Sequence, residues 1–165
     1  MSYIDLTTYD ILDLIPSSSF SDDMKGEFLN QFVTAYGGYL SECLGTKFTE
    51  EDSEELDILL SDEDATPQEV EEFFKDKIPN YDEFLTGVAL KFKKDYLLQF
   101  YKMMKDSTIQ SHHFSSPLWD EIIALATEDE WDSVSLKIQE MEEKDKQMGK
   151  NVYPVSNQVP SFPPV

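Results

Sequence analysis

Two adjacent histidines, one cysteine and a large surplus of carboxylates are the residues in this 165-residue sequence that could do chemistry. His112 and His113 lie in the polar stretch DSTIQSHHFSSP. Imidazoles bind metals and carry protons, but neighbours on an extended loop point apart, which predicts a loop surface and no shared metal ion. No E-x-x-H spacing occurs, so the carboxylate–histidine pattern of a di-iron bundle is missing. Cys43 falls on an apolar helical face with no base near it in sequence, which predicts a buried structural thiol. One cysteine excludes an intramolecular disulfide and a cysteine-rich metal cage.

The carboxylates number 34 against 13 basic residues, all of them Lys, for a formal net charge of -21. Among so many acids, close pairs arise by chance and nominate no general acid or base. SDEDAT is acid-rich but lacks the ligand spacing of an EF-hand. Glycine-rich phosphate loops and the G-x-S-x-G turn are absent, and without Arg the usual bidentate phosphate clamp is missing as well. A surface this negative repels nucleic-acid backbones and anionic lipid. The chemistry therefore points to no catalytic residues, no cofactor and no metal, and to another protein with a basic surface as the electrostatic complement.

The elements that would carry these residues read as helices almost throughout, because apolar positions recur at three and four. A short segment covers residues 4 to 15, with Ile4, Tyr9, Leu12 and Ile15. After PSSSFSDD, Ser21 is a candidate N-cap for a helix with Phe28, Leu29, Phe32, Val33, Tyr36, Leu40, Cys43 and Leu44 on one face. Gly37-Gly38 should interrupt it, as a kink or a close helix approach. Thr49 can cap the next helix, which ends near Leu60. Thr66, Pro67 and Glu69 form a capping box with Pro at the first helical position.

In FFKDKIPNYDEFL, Pro79 disfavours helix at Ile78, so the incoming helix ends there. Asn80 can cap the outgoing helix with Glu83 bonding back, and Phe74, Ile78, Phe84 and Leu85 can cluster at the corner. That next helix, 81 to 105, is apolar over much of its circumference: Leu85, Phe92, Tyr96, Phe100 and Met103, extended by Leu90, Leu97, Tyr101 and Met104. Its opposite strip holds Lys91, Lys94, Lys102 and Lys105, either solvated and salt-bridged to the acidic helices or a docking face for an acidic ligand. Residues 49 to 83 carry fifteen acids and two Lys, so the chain has an acidic half and a basic strip.

DSTIQSHHFSSP reads as a loop, and Ser116 before Pro117 opens a helix through Trp119, Ile122, Ile123 and Ala126. Thr127 with Glu130 suggests one more capping box, before a helix bearing Trp131, Val134, Ile138, Met141 and Met148. The remainder, NVYPVSNQVPSFPPV, has four Pro, no charge and no period, and reads as extended.

The stretch LDILLSDEDATPQEVEEFFKDKIPNYDEFL resembles a small all-helical family of unknown function from candidate-phylum (Patescibacteria-type) bacteria. There an acidic, Leu-rich helix is followed by a short gap, a segment like EFFKDKIPN and a further amphipathic helix. The likeness lies mainly within residues 49 to 85, is sharpest from Glu72 to Phe84, and extends loosely over 9 to 104. The Gly37-Gly38 break, the Lys-rich long helix and everything from 106 on depart from it. The resemblance implies a helical fold and a bacterial cytosol, and no site.

The chain reads as all-α: a single bundle of about six helices over 1–149 with an extended Pro-rich C-terminal tail over 150–165. No cationic-then-apolar leader and no membrane-length apolar run is visible, which predicts a cytoplasmic protein. The expected function is non-enzymatic: a protein–protein interaction or adaptor role toward a basic or apolar partner protein, without direct nucleic-acid or membrane binding. The alternative is an inhibitor or antitoxin-like nucleic-acid mimic that fills a basic cleft. The candidate partner-binding residues are Glu50, Glu51, Glu54, Glu55, Asp62, Glu63 and Asp64 in the acidic half, and Tyr153, Val155, Val159 and Phe162 in the tail.

Overall fold

A computed structural model describes residues 4–148 of the chain. Its elements are α1 (Ile4–Thr8), a 3-10 turn (Ile11–Leu14), α2 (Asp22–Gly45), α3 (Glu50–Ser61), α4 (Pro67–Lys77), α5 (Tyr81–Gln110), α6 (Ser116–Thr127) and α7 (Trp131–Met148). No strand occurs among the described residues, so the fold is all-α. These helices form two compact units. The first takes residues 4–33 and 90–148, and the second takes 34–89, so the divisions fall inside α2 and inside α5.

The first unit is held by aromatic packing. Trp119, Trp131, Tyr101, Phe28 and Phe100 are fully buried, with Leu97, Ile122 and Ile138 among them. Phe28 meets Tyr96 and Phe100 edge-on, at centroid distances of 6.0 and 6.1 Å, a favoured aromatic geometry. Burial pushes the Tyr96 phenol up to about 12 and raises Tyr101 further still. Phe92, Tyr96, Leu97, Phe100, Tyr101 and Met104 are all buried, as the breadth of apolar surface on α5 requires. On α7, Trp131, Val134, Ile138 and Met141 are buried, whereas Met148 is exposed in the last turn.

Two local expectations fail here. α5 continues to Gln110, because the polar DSTIQ residues keep helical bonding and the buried Thr108 turns its hydroxyl back to the Lys105 carbonyl at 2.9 Å. Thr127 caps nothing: it closes α6, and its hydroxyl donates to the Ile123 carbonyl at 2.7 Å. The turn into α7 is made instead by Asp129 in the left-handed region, with φ 61. α6 starts at Ser116, as expected, and Ser115 before it makes no side-chain cap bond.

The second unit is held more locally. Thr49 and Asp52 form a reciprocal capping box on α3, and Thr66 and Glu69 form one on α4, with Pro67 at the first helical position. α4 stops at Lys77, and Ile78 takes the extended ψ of 111 that a following Pro demands. Ile78 is 1 % exposed. Phe74 stacks between Phe48 and Tyr81, at 5.8 and 5.9 Å, two partners that local spacing at the corner does not suggest. Asn80 lacks the extended backbone of an ordinary N-cap: its φ is 54, and its carbonyl accepts the Phe84 N–H at 2.9 Å. Gly37 and Gly38 do not break α2. The helix runs through them, both are exposed, and an added Cβ would meet nothing within 4 Å, so a close approach does not explain them.

Candidate interaction site

α3 begins where the Thr49 hydroxyl accepts the Asp52 N–H at 3.1 Å and the Asp52 carboxylate accepts the Thr49 N–H at 3.0 Å. The other Asp52 oxygen lies 3.0 Å from Lys77 Nζ on α4, and Glu55 Oε2 lies 2.9 Å from the same ammonium. The Thr49 backbone bond, followed by Lys77, holds the Asp52 carboxyl below its usual range. Glu55 and Asp52 raise Lys77. Its ammonium also sits 5.6 Å from the centre of the Phe73 ring.

α3 buries no residue fully. Leu56 and Leu59 are half-buried, while Ile58 is 73 % exposed and Leu60 is 60 % exposed. Helical spacing places Glu51, Glu54, Glu55 and Asp62 at i−7, i−4, i−3 and i+4 from Ile58, and all four are exposed. Ile58 thus stands open to solvent on a helix whose exposed residues are mostly acidic. Glu50 lies exposed at the first position of α3. Asp62 caps its end, donating its N–H to the Leu59 carbonyl, and Glu63 and Asp64 occupy the exposed turn beyond. The helix therefore sets Glu54 and Glu55 one turn before Ile58 and Asp62 one turn after it, with Glu51 two turns away and Glu55 also paired with Lys77, and leaves Glu63 and Asp64 past the helix end. In sequence, Ile58 reads as part of an apolar helix end.

The basic strip on α5 does not form a free cationic face. Lys91 pairs with Asp95 on its own helix, Lys94 with Asp129 at 2.8 Å, and Lys105 with Asp120; Lys102 is exposed. The acidic partners come from the first unit, not from α3 or α4. Asp120 raises Lys105.

His113 also differs from expectation. Only His112 is a surface residue, with φ 53; the His113 side chain is 14 % exposed. Its Nδ1 accepts the Ser115 N–H at 3.2 Å and lies 2.7 Å from Ser115 Oγ. An accepting Nδ1 puts the proton of the neutral ring on Nε2, which faces Asp145 Oδ1 at 3.8 Å. Serine, histidine and aspartate suggest a hydrolytic triad, but Ser115 is 0 % exposed, so its hydroxyl meets no substrate. The bonds to Ser115 hold His113 within the α5–α6 connection, and its 3.8 Å approach to Asp145 on α7 is longer than a hydrogen bond. Sequence spacing hid it because Asp145 lies beyond all of α6, near the end of α7.

Cys43 is half-buried with a free thiol, less enclosed than its place on the apolar face suggests. Among the described residues, no group of three His, Cys, Asp or Glu side chains could hold a metal ion, and no helix is long and apolar enough to cross a membrane. Tyr153, Val155, Val159 and Phe162, with the rest of the Pro-rich segment, lie outside the described residues. No family model, curated protein or solved structure matches the chain.

Proposed function

We propose that this is a non-enzymatic interaction protein of the cytoplasm, which holds a basic partner protein through α3. The observation that carries the reading is Ile58, 73 % exposed amid the exposed carboxylates of Glu51, Glu54, Glu55 and Asp62. Burying an exposed apolar side chain supplies affinity, while surrounding charges steer and orient the encounter. The fitting partner surface is an apolar pocket rimmed by Lys or Arg, taking one helix face as its ligand. The uncharged side chains Tyr153, Val155, Val159 and Phe162 are proposed as a second contact. A free cysteine fits a reducing compartment, and the motif likeness over residues 49 to 85 fits a bacterial one.

The competing proposal, a nucleic-acid mimic in a basic cleft, needs the carboxylates but not the isoleucine. Affinity capture from native cytosol with the wild type, Ile58→Ser and a Glu51→Gln/Glu54→Gln variant separates them. An interaction protein of this kind should hold a partner whose binding falls by tenfold or more, about 1.4 kcal/mol, on Ile58→Ser. A partner that tolerates Ile58→Ser yet is lost steeply with salt overturns the proposal in favour of mimicry.

A further inference from the structure

Residues 4–18 are held by the rest of the first unit much as a groove holds a peptide. Leu6, Ile11, Leu14 and Ile15 are buried. The polar grips, however, fall mostly on main-chain atoms. Lys93 Nζ on α5 donates to the Leu6 carbonyl at 2.9 Å and to the Tyr9 carbonyl. Tyr101 donates its hydroxyl to the Leu14 carbonyl at 2.6 Å. Glu142 on α7 accepts the Ser18 N–H at 3.1 Å. The Tyr9 hydroxyl donates to Asp132, also on α7. Main-chain grips are indifferent to sequence and set register, while apolar side chains in pockets select the segment. Lys93 is half-buried, and its position on two carbonyls is what gives a cation a place there.

The connection to α2 is short. Ser17 donates its N–H to the Ile15 carbonyl at 2.7 Å, and Phe20 donates its own to Ser17 at 3.0 Å, so two tight turns in PSSSFS bring the chain round. A short segment docked by its backbone and joined by a tight hinge is the arrangement that permits exchange between copies. We propose that the α5–α7 groove is a peptide-holding site, and that a second copy of this chain can fill it with its own residues 4–18 to give a swapped dimer. The occupant is identified by fit, because the same segment meets every grip. Burial disfavours the charged form of Lys93, and the segment's own Asp10 and Asp13 lie close enough to oppose that loss. At -21 per chain the copies repel each other, so screening by salt should favour the swap.

The test uses full-length chains in a Cys43→Ser background. One population carries Tyr9→Cys and the other Asp132→Cys; they are mixed at high concentration, and a short bismaleimide is added. The product joining the Tyr9→Cys chain to the Asp132→Cys chain, in excess of the homotypic products that random encounters give, reports the segment of one copy on α7 of the other. The expected result is a product that increases with protein concentration and with salt, and that a synthetic peptide of residues 1–20 suppresses. Deleting Ser19-Phe20 should shift the chain from monomer to dimer in light scattering with its helicity unchanged. A shortened chain that stays monomeric, dimers that give no inter-chain product, or loss of helicity on shortening would each overturn the proposal.

Discussion

The two units reach stability by different means. The first buries two tryptophans, Tyr101, Phe28 and Phe100, whereas Ile78 and Val88 are the buried apolar residues within 34–89. The second unit is densely acidic over residues 49 to 83, and a helix that is acidic on most of its surface has little to bury. Its helices depend on reciprocal caps, on Lys77 and on the Phe48–Phe74–Tyr81 stack. Tertiary packing defines one unit and local encoding the other. The region with the least buried apolar surface is also the one that leaves Ile58 open.

The largest effect belongs to the first unit. Trp119→Ala should cost about 3 to 5 kcal/mol, read from denaturant unfolding, because a fully buried indole leaves a large cavity. In the second unit, Ile78→Ala should cost about 2 to 4 kcal/mol. If Ile78→Ala proves the costlier of the two, the contrast in packing is wrong. Hydrogen exchange should sharpen it further, with amides of α3 and α4 opening at lower free energy than those of α6.

Smaller effects probe the local encoding. Thr66→Ala removes one half of a capping box and should cost about 1 kcal/mol. Gly37→Ala should go the other way and stabilise by about 1 kcal/mol in thermal melts, since the site is helical, exposed and open. No gain there would mean that the glycine serves something besides the helix.

The smallest effect is on acid stability. Asp52 titrates in the folded chain below the ordinary aspartate value of 3.8, so its contribution is present at neutral pH and fades as the pH falls through that value and below. The stability gap between wild type and Asp52→Asn should therefore narrow in acid. A constant gap in urea midpoints between neutral pH and the carboxylate range would show that neither the Thr49 bond nor the Lys77 link favours the ionised carboxylate.

Much of this is readable from residue order. Caps and breakers act over four residues, so Thr49, Thr66, Pro67 and the Ile78-Pro79 stop are legible, as is the breadth of the apolar face of α5. What is not legible depends on distant partners or on competing local bonds. Thr127 carries the letters of a cap, yet its hydroxyl satisfies its own helix. The Gly37-Gly38 pair reads as a break because propensity alone is a weak guide once the rest of a helix is committed. His113 needs Asp145, and the Lys strip needs Asp129 and Asp120, none of which spacing reveals. The carboxylates of the candidate site are legible as a class; the exposed Ile58 among them is not, because exposure follows from which face of α3 the fold leaves open.

The placement of the second unit within the chain has a consequence for the order of assembly. Residues 34–89 form an uninterrupted stretch, while the first unit draws on 4–33 and 90–148. During synthesis, every residue of the second unit has been made before α6 begins. Phe28, by contrast, must wait for Tyr96 and Phe100, and their neighbour Trp119 follows later still. Closing that separation costs chain entropy that grows only slowly with loop length. The acidic unit is therefore complete in synthesis before the aromatic core can close, so slow steps in folding should track the first unit and not the second.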